Sequence, residues 1–343
     1  MRIIKKISEM KALCNEIRLK RSGNPAQAGK SSTIGFVPTM GALHQGHIML
    51  IETAKSHSNF IVVSIFVNPL QFGTGEDLKA YPRNMETDIQ LLKSIGIDAL
   101  FIPDNEEIYP EDYATYIELP SLSNILCGKV RPGHFRGVCT IVGKLFNIIT
   151  PDIAVFGEKD AQQSIIIKKM VQDLNLGMKI ITIPTVREHD GLAMSSRNVY
   201  LSIQEREEAT IIYQALQMAK NLITNGEWDT REIKAQMHTL ISSSPRAKID
   251  YIEIVRKDTL VPIDTLDTLS VVADPSRHET GRERKSRLSR SGGGYCGGEL
   301  LIAVAVWFGK TRLIDNITIK GSSRQIGTPL KTLLPQKDKD TIN

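Results

Sequence analysis

The chain has 343 residues, of which 41% are hydrophobic and 24% are charged, and these values are ordinary for a folded globular protein. The length suits two domains with a cleft between them. The longest uninterrupted apolar run spans Leu300 to Phe308, about half of the roughly 18 residues that a membrane-spanning helix requires. The composition excludes wholesale disorder, collagen-like repeats and a disulfide-rich scaffold. The N-terminal residues contain no apolar signal segment, so export is not expected.

Most of the net charge of +5 comes from one segment. Residues 275–298 contain six basic and two acidic side chains and almost no apolar ones, so this segment cannot bury a core face and is expected to form a surface loop. Without the segment the chain is nearly neutral, and we expect no nucleic-acid partner. The alternative is an RNA- or anion-binding arm, because Arg-rich segments bind phosphate. An inserted loop costs little closure entropy, so deletion of residues 276–298 is expected to leave activity within a few-fold.

The four cysteines, Cys14, Cys127, Cys139 and Cys296, stand far apart in the sequence. No pair has the spacing of a metal site or of a redox motif. Reduced thiols are therefore expected, and with them a cytoplasmic location.

Apolar strands and amphipathic helices alternate through the first half of the chain. Strands are predicted at Ile34–Val37, Ile61–Val67, Ala99–Ile102, Ile153–Phe156 and Lys179–Ile183, and helices from about His47 and at Asp88–Ile95, Val138–Ile149 and Ser164–Asp173. Repeated alternation of this kind is typical of parallel sheets with right-handed crossovers. The fold class is therefore α/β, with a Rossmann-like doubly wound parallel sheet over residues 1–183.

The pattern changes after Pro184. Helices are predicted at Gln204–Ala219 and Thr230–Ser242, and strands at Ile249–Val255, Leu300–Phe308 and Thr311–Thr318. Few strand–helix–strand units remain, so residues 184–320 are expected to form a smaller α+β domain that contains the basic insert. Residues 321–343 are predicted to be a polar tail.

Two histidines, His44 and His47, lie in the turn that follows the strand Ile34–Val37. Free backbone N–H groups and the positive end of a helix dipole at such a turn suit a phosphate chain. Imidazoles there can donate hydrogen bonds as negative charge builds on a departing pyrophosphate. Two alternatives stay open: the histidines only cap and pack the turn, or they bind zinc, for which HExxH spacing and a third ligand are missing.

Two further segments favour phosphate binding. Gly157 to Asp160 follows a predicted strand, so Lys159 can contact phosphate and Asp160 can accept from a ribose hydroxyl. Ser195, Ser196 and Arg197 place two hydroxyls beside a forked cation that can surround phosphate oxygens. Each segment is also compatible with an ordinary charged or solvated turn.

Two neutral amides, Gln71 and Gln163, lie near the same predicted strand ends. An amide can hold hydroxyl and carboxylate groups without adding charge to a pocket. For either glutamine alone, an ordinary polar loop is the alternative.

Seven motifs running from Val37 to Asn316 carry a resemblance to a known family: VPTMGALHQGH, SIFVNPLQF, YPR, RPGHFRGV, PDIAVFGEKDAQQ, MSSRNVYL and GKTRLIDN. The chain resembles the pantoate–β-alanine ligase family of the HxGH nucleotidyltransferase superfamily, which is related to class I aminoacyl-tRNA synthetases. HxGH alone indicates only the superfamily, whereas the combination of motifs indicates this family. The family normally passes from the region of Asp267–Leu269 to the apolar strand by a short link, so residues 275–298 are a departure from it.

The resemblance implies an AMP-forming ligase. ATP and pantoate would first give pantoyl adenylate and pyrophosphate with Mg²⁺, and β-alanine would then attack the adenylate to give pantothenate and AMP. It also implies a homodimer whose C-terminal domain acts as a lid. No metal ligand is assigned, although Asp88 is an outer-sphere candidate.

The resemblance assigns residues to three roles. His47 is the proton donor, assisted by His44. The ATP contacts are Met40, Gly41, Ala42, Leu43, His44, Gln45, Gly46, His47, Gly157, Glu158, Lys159, Asp160, Val186, Met194, Ser195, Ser196 and Arg197. Gln71 and Gln163 contact pantoate, and Gln71 also lies near β-alanine.

Two other functions are kept as alternatives. One is a different HxGH nucleotidylyltransferase that acts on a phosphorylated acceptor, which should require extra basic residues near the amides. The other is a catalytically silent binding protein that has kept the fold. AMP release from ATP with pantoate, with and without β-alanine, separates all three.

Overall fold

A computed structural model describes residues 1–22, 33–227, 229–264, 266 and 298–320. The basic insert, predicted at residues 275–298, lies outside the described residues except for Gly298, and so does the tail at 321–343. Asp267–Leu269 and Cys296 are outside them as well.

A six-stranded, wholly parallel sheet occupies the first half of the chain. Its strands are β1 (Arg2–Ile4), β2 (Ile34–Thr39), β3 (Phe60–Ile65), β4 (Ala99–Phe101), β5 (Ile153–Gly157) and β6 (Lys179–Ile183), in the spatial order β1-β4-β3-β2-β5-β6. β2 and β5 lie side by side. The chain adds strands toward one edge of the sheet from β2 to β4 and toward the other edge from β5 to β6. In open parallel sheets the crevice at such a switch point is where ligands bind.

Helices pack around this sheet and supply the connections. They are α1 (Ile7–Ser22), α2 (Gln45–His57), α3 (Met85–Ile95), α4 (Asn105–Ile108), α5 (Pro120–Ser123), α6 (Cys127–Val130), α7 (His134–Ile149) and α8 (Ala161–Asp173), with short 3-10 helices at Pro69–Gln71 and Glu158–Asp160. Buried side chains such as Phe36, Phe146 and Phe156 form the core between β2, β5 and α7.

The second half forms an antiparallel sheet covered by helices. Strands β7 (Ala247–Arg256), β8 (Glu299–Phe308) and β9 (Thr311–Lys320) lie in the order β7-β8-β9, and α9 (Ile203–Glu208), α10 (Ile211–Thr224), α11 (Thr230–Ser242) and a 3-10 helix at Ser196–Tyr200 complete this part. The helices α10 and α11 bury Leu216, Ile233 and Met237 in a core shared with β8. The predicted fold class is confirmed, whereas the domain boundary at residue 183 stays a prediction.

The sequence prediction was wrong about one helix. Gln204–Ala219 was expected to be continuous, but the structure divides it into α9 and α10 at Ala209 and Thr210. Both residues keep right-handed dihedral angles with ψ of −21° and −22°, which is the tighter 3-10 range. A tight joint with right-handed backbone therefore separates α9 from α10.

None of the described helices is long and apolar enough to cross a bilayer.

Candidate active site

A cleft of about 1530 Å³ lies between the carboxyl ends of the parallel strands and the antiparallel sheet. Fourteen of the predicted site residues line it: Met40, His44, Gly46, His47, Gln71, Gly157, Lys159, Asp160, Gln163, Val186, Met194, Ser195, Ser196 and Arg197. The fold therefore brings together segments that are far apart in sequence, including the histidine turn and the serine–arginine segment.

The other predicted ATP contacts lie outside the lining of this cleft. They are Gly41, Ala42, Leu43, Gln45 and Glu158. Leu43 packs on the apolar core beside the sheet, and Gln45 is exposed. Glu158 pairs instead with Lys257, with 3.7 Å between Oε1 and Nζ. The predicted contacts of these residues with ATP therefore stay a prediction.

Both histidines have a fixed tautomer. Nδ1 of His44 accepts from the backbone N–H of Gly46 at 3.1 Å, and Nδ1 of His47 accepts from the backbone N–H of His44 at 3.2 Å. A neutral imidazole has one acceptor and one donor nitrogen, so the proton of each ring sits on Nε2. The ring centroids are 4.1 Å apart. The turn therefore offers two adjacent Nε2–H donors, and the same backbone contacts cap the start of α2.

Both rings are neutral at pH 7. Burial lowers the pKa of His44 to about 4, helped by the positive charge of Lys159, and it lowers the pKa of His47 to about 3, helped by His44. A neutral ring can donate a hydrogen bond to a phosphate oxygen without bringing a permanent charge. The pair can therefore donate hydrogen bonds to an anion such as phosphate as charge develops on it.

The carboxylate of Asp88 anchors the main chain of the histidine turn. It is buried at the first turn of α3, and it accepts from the backbone N–H of Ala42 at 2.8 Å and of Leu43 at 2.9 Å. With both oxygens engaged by main chain, its visible role is to fix the turn rather than to reach a metal. Ala42 itself has a positive φ of 51°, which a non-glycine residue adopts only when its surroundings impose it.

Two ion pairs hold residues 72–83, which we call the strap, across one side of the cleft. Arg197 contacts Asp77 through Nε at 2.8 Å and Nη2 at 2.9 Å, and Arg131 contacts Glu76 through Nε at 2.7 Å and Nη2 at 2.5 Å. Burial alone would raise the pKa of Asp77, but the hydrogen bonds and charge of Arg197 outweigh it and lower the pKa. The predicted phosphate-binding Arg197 is thus paired with a strap carboxylate.

The buried amide Gln71 is held by a network that the sequence did not reveal. Its backbone carbonyl accepts from Nδ1 of His134 at 2.7 Å, while Nε2 of His134 lies 3.1 Å from Nη1 of Arg131. The Gln71 side chain accepts from Nδ2 of Asn68 at 3.1 Å. Asn68, Arg131 and His134 line the cleft, and only their place in the motifs SIFVNPLQF and RPGHFRGV signalled them.

The helix α7 is in direct contact with the main chain of the 3-10 helix that carries Gln71. A side chain on Gly137 would place its Cβ 2.2 Å from the carbonyl oxygen of Leu70. The carbonyl of Gly137 also accepts from Nδ2 of Asn68 at 3.0 Å. Only glycine at this position allows α7 to approach the 3-10 helix Pro69–Gln71 so closely.

The residues that the structure describes contain no group of three or more His, Cys, Asp or Glu side chains arranged to hold a metal ion. Neither the zinc alternative for His44 and His47 nor a dedicated magnesium cage finds support in this geometry. Magnesium usually keeps several waters and binds through substrate phosphates and one or two carboxylates, which is compatible with an open cleft.

Comparison with known proteins identifies the family. The sequence profile of the Pantoate-beta-alanine ligase family matches residues 2–318. The chain belongs to the pantoate–beta-alanine ligase family. As an enzyme of this family it condenses pantoate with β-alanine to give pantothenate.

Curated members of this family are similar over nearly their whole length. The pantothenate synthetase of Pseudothermotoga lettingae is 46% identical over 321 residues, which cover 94% of this chain and 99% of the relative. That of Thermotoga petrophila is 47% identical, with 94% and 100% covered.

Solved structures of family members share the fold. Pantothenate synthetase from Thermus thermophilus superposes with a TM-score of 0.75 at 38% identity, covering 92% of this chain and 99% of that one. The Francisella tularensis pantoate–beta-alanine ligase complexed with beta-gamma ATP and beta-alanine gives a TM-score of 0.65 at 35% identity, with 92% and 97% covered. That complex supports ATP as a substrate of this ligase family.

Proposed function

We propose that this ligase forms pantoyl adenylate in the cleft and that His44, His47, Lys159, Ser195, Ser196 and Arg197 bind the triphosphate of ATP. The main observation behind this proposal is that the histidine turn and the serine–arginine segment are in contact. Oγ of Ser196 donates to the carbonyl of Ala42 at 3.2 Å. Histidine N–H donors, hydroxyls and two cations thereby surround one space. Attack of a carboxylate on the α-phosphorus is mainly a problem of positioning and charge stabilisation, which these groups address.

In the first step the pantoate carboxylate attacks the α-phosphorus, an oxygen–phosphorus bond forms, and the bond to pyrophosphate breaks. The Nε2–H groups of His47 and His44 donate to phosphate oxygens as charge grows on the departing pyrophosphate. The main-chain N–H of Gln45, the first residue of α2, lies where the helix dipole favours an anion, whereas the N–H of Gly41 donates to Oγ1 of Thr39 at 3.2 Å.

In the second step the amine of β-alanine attacks the acyl carbon of the adenylate, and AMP leaves. Gln71 and Gln163 line the cleft as neutral amides and orient pantoate by its hydroxyl and carboxylate oxygens. The strap lies over this side of the cleft and keeps water away from an adenylate that hydrolyses readily. Val186 and Met194 line the cleft and complete the proposed nucleotide site.

Magnesium is proposed to enter with ATP, coordinated by phosphate oxygens and water. The carboxylate that lines the cleft beside Lys159 is Asp160, with 3.6 Å between its Oδ1 and the Lys159 Nζ. Asp160 would be the carboxylate that holds this ion, in place of the buried Asp88.

The ligase is further proposed to act as a homodimer in the cytoplasm. The resemblance to the family supports the dimer, and buried thiols at Cys14, Cys127 and Cys139 are consistent with a reducing compartment. Sedimentation equilibrium of the full chain tests the assembly, and a single species at the monomer mass of 38.1 kDa would contradict it.

Pantoate-dependent exchange of pyrophosphate into ATP tests the adenylate. Exchange without β-alanine is expected, because the first step is reversible and needs no amine. The variant His47→Ala should lower the exchange rate by about 10² to 10³, as for loss of an oxyanion donor, while keeping a folded protein. His57→Ala, an exposed histidine at the other end of α2, is the matched control. Exchange that requires β-alanine, or that survives in His47→Ala, would refute the mechanism.

A further inference from the structure

The side-chain amide of Asn316 on β9 bridges the antiparallel sheet to the Lys159 segment. Its Nδ2 donates to the backbone carbonyl of Glu158 at 2.9 Å and to that of Lys159 at 2.8 Å. Asn316 is only 7% exposed, so neither carbonyl could be compensated fully by bulk water if the amide were lost. The contact spans 157 residues of sequence.

The chemistry of the position requires an amide nitrogen. An asparagine NH₂ group has two N–H donors and no acceptor, and two carbonyl oxygens are the partners that use both. A carboxylate of the same shape would place an oxygen against two other oxygens. The position therefore distinguishes asparagine from aspartate by hydrogen bonding and not by size.

The two carbonyls belong to the residues that set the direction of the Lys159 side chain. Glu158–Asp160 is a single turn of 3-10 helix directly after β5, and so short a helix has little internal hydrogen bonding of its own. The Lys159 side chain lines the cleft with His44, and its charge lowers the pKa of that histidine. Fixing the main chain on both sides of the Lys159 Cα thus fixes the approach of the ammonium group.

The preceding residue, Asp315, pairs with Arg187, which lies in the chain between the predicted ATP contacts Val186 and Met194. Its carboxylate is 4% exposed and accepts from Nη1 of Arg187 at 2.6 Å and from Nη2 at 3.0 Å. Arg187 in turn donates to the carbonyl of Gly191 at 3.0 Å, within the loop that leads to Ser195. Successive residues of a strand project to opposite sides, so two neighbours on β9 reach both segments.

We propose that Asn316 is a positioning residue for adenylation, acting through the main chain of Glu158 and Lys159. The proposal rests on the assignment of Lys159 to the triphosphate made above. Asn316 lines the cleft, but both N–H donors of its amide are engaged by the carbonyls of Glu158 and Lys159. It holds the lysine where charge develops on the departing pyrophosphate, and together with Asp315 it makes the second sheet part of the nucleotide site.

The test measures pantoate-dependent ATP–pyrophosphate exchange in the full chain for Asn316→Asp and Asn316→Ala. We expect kcat to fall by about 10- to 100-fold, the scale for a misplaced catalytic group, with the KM for pantoate changed less than about three-fold. The same substitutions made in Lys159→Ala should lower kcat by less than about three-fold more, because groups that act as one unit are not additive. Asn316→Ala removes the donors without adding repulsion and carries the test if Asn316→Asp does not fold.

Thr318→Val is the matched control, because residue 318 lies two positions further along the same strand and should leave kcat unchanged. A wild-type kcat in folded Asn316→Ala would overturn the proposal. So would an equal loss of rate in the wild-type and Lys159→Ala backgrounds, which would indicate a purely structural role. Wild-type exchange in Lys159→Ala alone would refute the assignment of that lysine to phosphate and so would identify the proposed function as the part that failed.

Discussion

The hydroxyl of Ser196 donates to the carbonyl of Ala42, although 154 residues separate them. This hydrogen bond joins the histidine turn after β2 to the 3-10 helix Ser196–Tyr200 of the second half of the chain. The two segments that the sequence singled out as phosphate-binding are therefore neighbours without any closing movement. The predictions below concern the contacts that support this junction.

The substitution Asp88→Asn should destabilise the protein. Charge-assisted hydrogen bonds contribute about 1.5 to 3 kcal/mol each, and an amide offers one acceptor where the carboxylate offers two to the N–H groups of Ala42 and Leu43. We expect the free energy of unfolding to fall by about 2 kcal/mol and the KM for ATP to rise, as measured by urea denaturation and exchange kinetics. Glu86→Gln removes an exposed carboxylate from the same helical turn and should change neither quantity. Equal effects of the two variants would contradict the anchoring role of Asp88.

The substitution Asp77→Asn should tighten ATP binding. Phosphate and carboxylate compete for the same guanidinium fork on Arg197, and a partly exposed ion pair is worth up to about 1 kcal/mol. The Kd for ATP, measured by calorimetry, is therefore expected to fall by at most about five-fold.

The control for this prediction is Glu76→Gln, which loosens the strap at Arg131 and leaves the Asp77–Arg197 pair intact. It should not improve ATP affinity. If both variants bound ATP more tightly, opening of the strap rather than competition for Arg197 would be the cause.

The substitution Gly137→Ala should impair both folding and pantoate binding. Its Cβ would lie 2.2 Å from the main-chain oxygen of Leu70, so α7 and the 3-10 helix Pro69–Gln71 must separate. Overpacking of this kind costs about 1 to 3 kcal/mol, and the KM for pantoate should rise because Gln71 moves. Gly143→Ala on the same helix meets mainly the tip of the Ile117 side chain and should be tolerated. Similar melting temperatures for the two variants would argue against main-chain contact at Gly137.

Stability should fall with acid partly because of His134. Burial, aided by the charge of Arg131, lowers the pKa of His134 to about 4, whereas an unfolded histidine titrates near pH 6.5. Between pH 6.5 and about 4, His134 binds a proton in the unfolded chain but not in the folded chain. This contribution to stability is therefore complete above pH 6.5 and is lost as the pH falls, at about 1.4 kcal/mol per pH unit.

His134→Gln removes the side chain that binds this proton, so the free energy of unfolding should depend less on pH. Urea denaturation at pH 7, 5.5 and 4.5 is expected to show a shallower loss of stability in the variant than in the wild type. His238→Gln, an exposed position on α11, serves as the reference. A slope unchanged by His134→Gln would mean that the pKa of this ring is the same in the folded and the unfolded protein.

The four inner strands of the parallel sheet, β2 to β5, could be predicted because they are largely buried and read as apolar runs. Lys179–Ile183 was predicted with the bounds that the structure gives to β6, and Ile61–Val67 with small shifts. β1 has only three residues and pairs at the edge with β4. The adjacent α1 buries few side chains, among them Met10, Leu13 and Cys14, so its amphipathic signal is weak.

Of the candidate site, only the side chains that face the cleft could be predicted from the sequence. Strand ends and motifs identified His44, Lys159 and Ser196, because chemistry of that kind follows directly from residue type and position. The supports of the site arise from contacts between distant parts of the chain. Asp88 lies 46 residues from Ala42, and Asn316 lies 157 residues from Lys159, distances over which spacing in the sequence carries no signal.

The position of Asn316 near the end of the described chain also affects biosynthesis. A ribosome translates both proposed nucleotide-binding segments long before it reaches β9, so a nascent chain that has grown only to the end of β8 lacks the Asn316 amide that pairs with the carbonyls of Glu158 and Lys159. The same is true of any translation product terminated before residue 315. Adenylation at the full rate is therefore expected only from a chain in which β9 has docked.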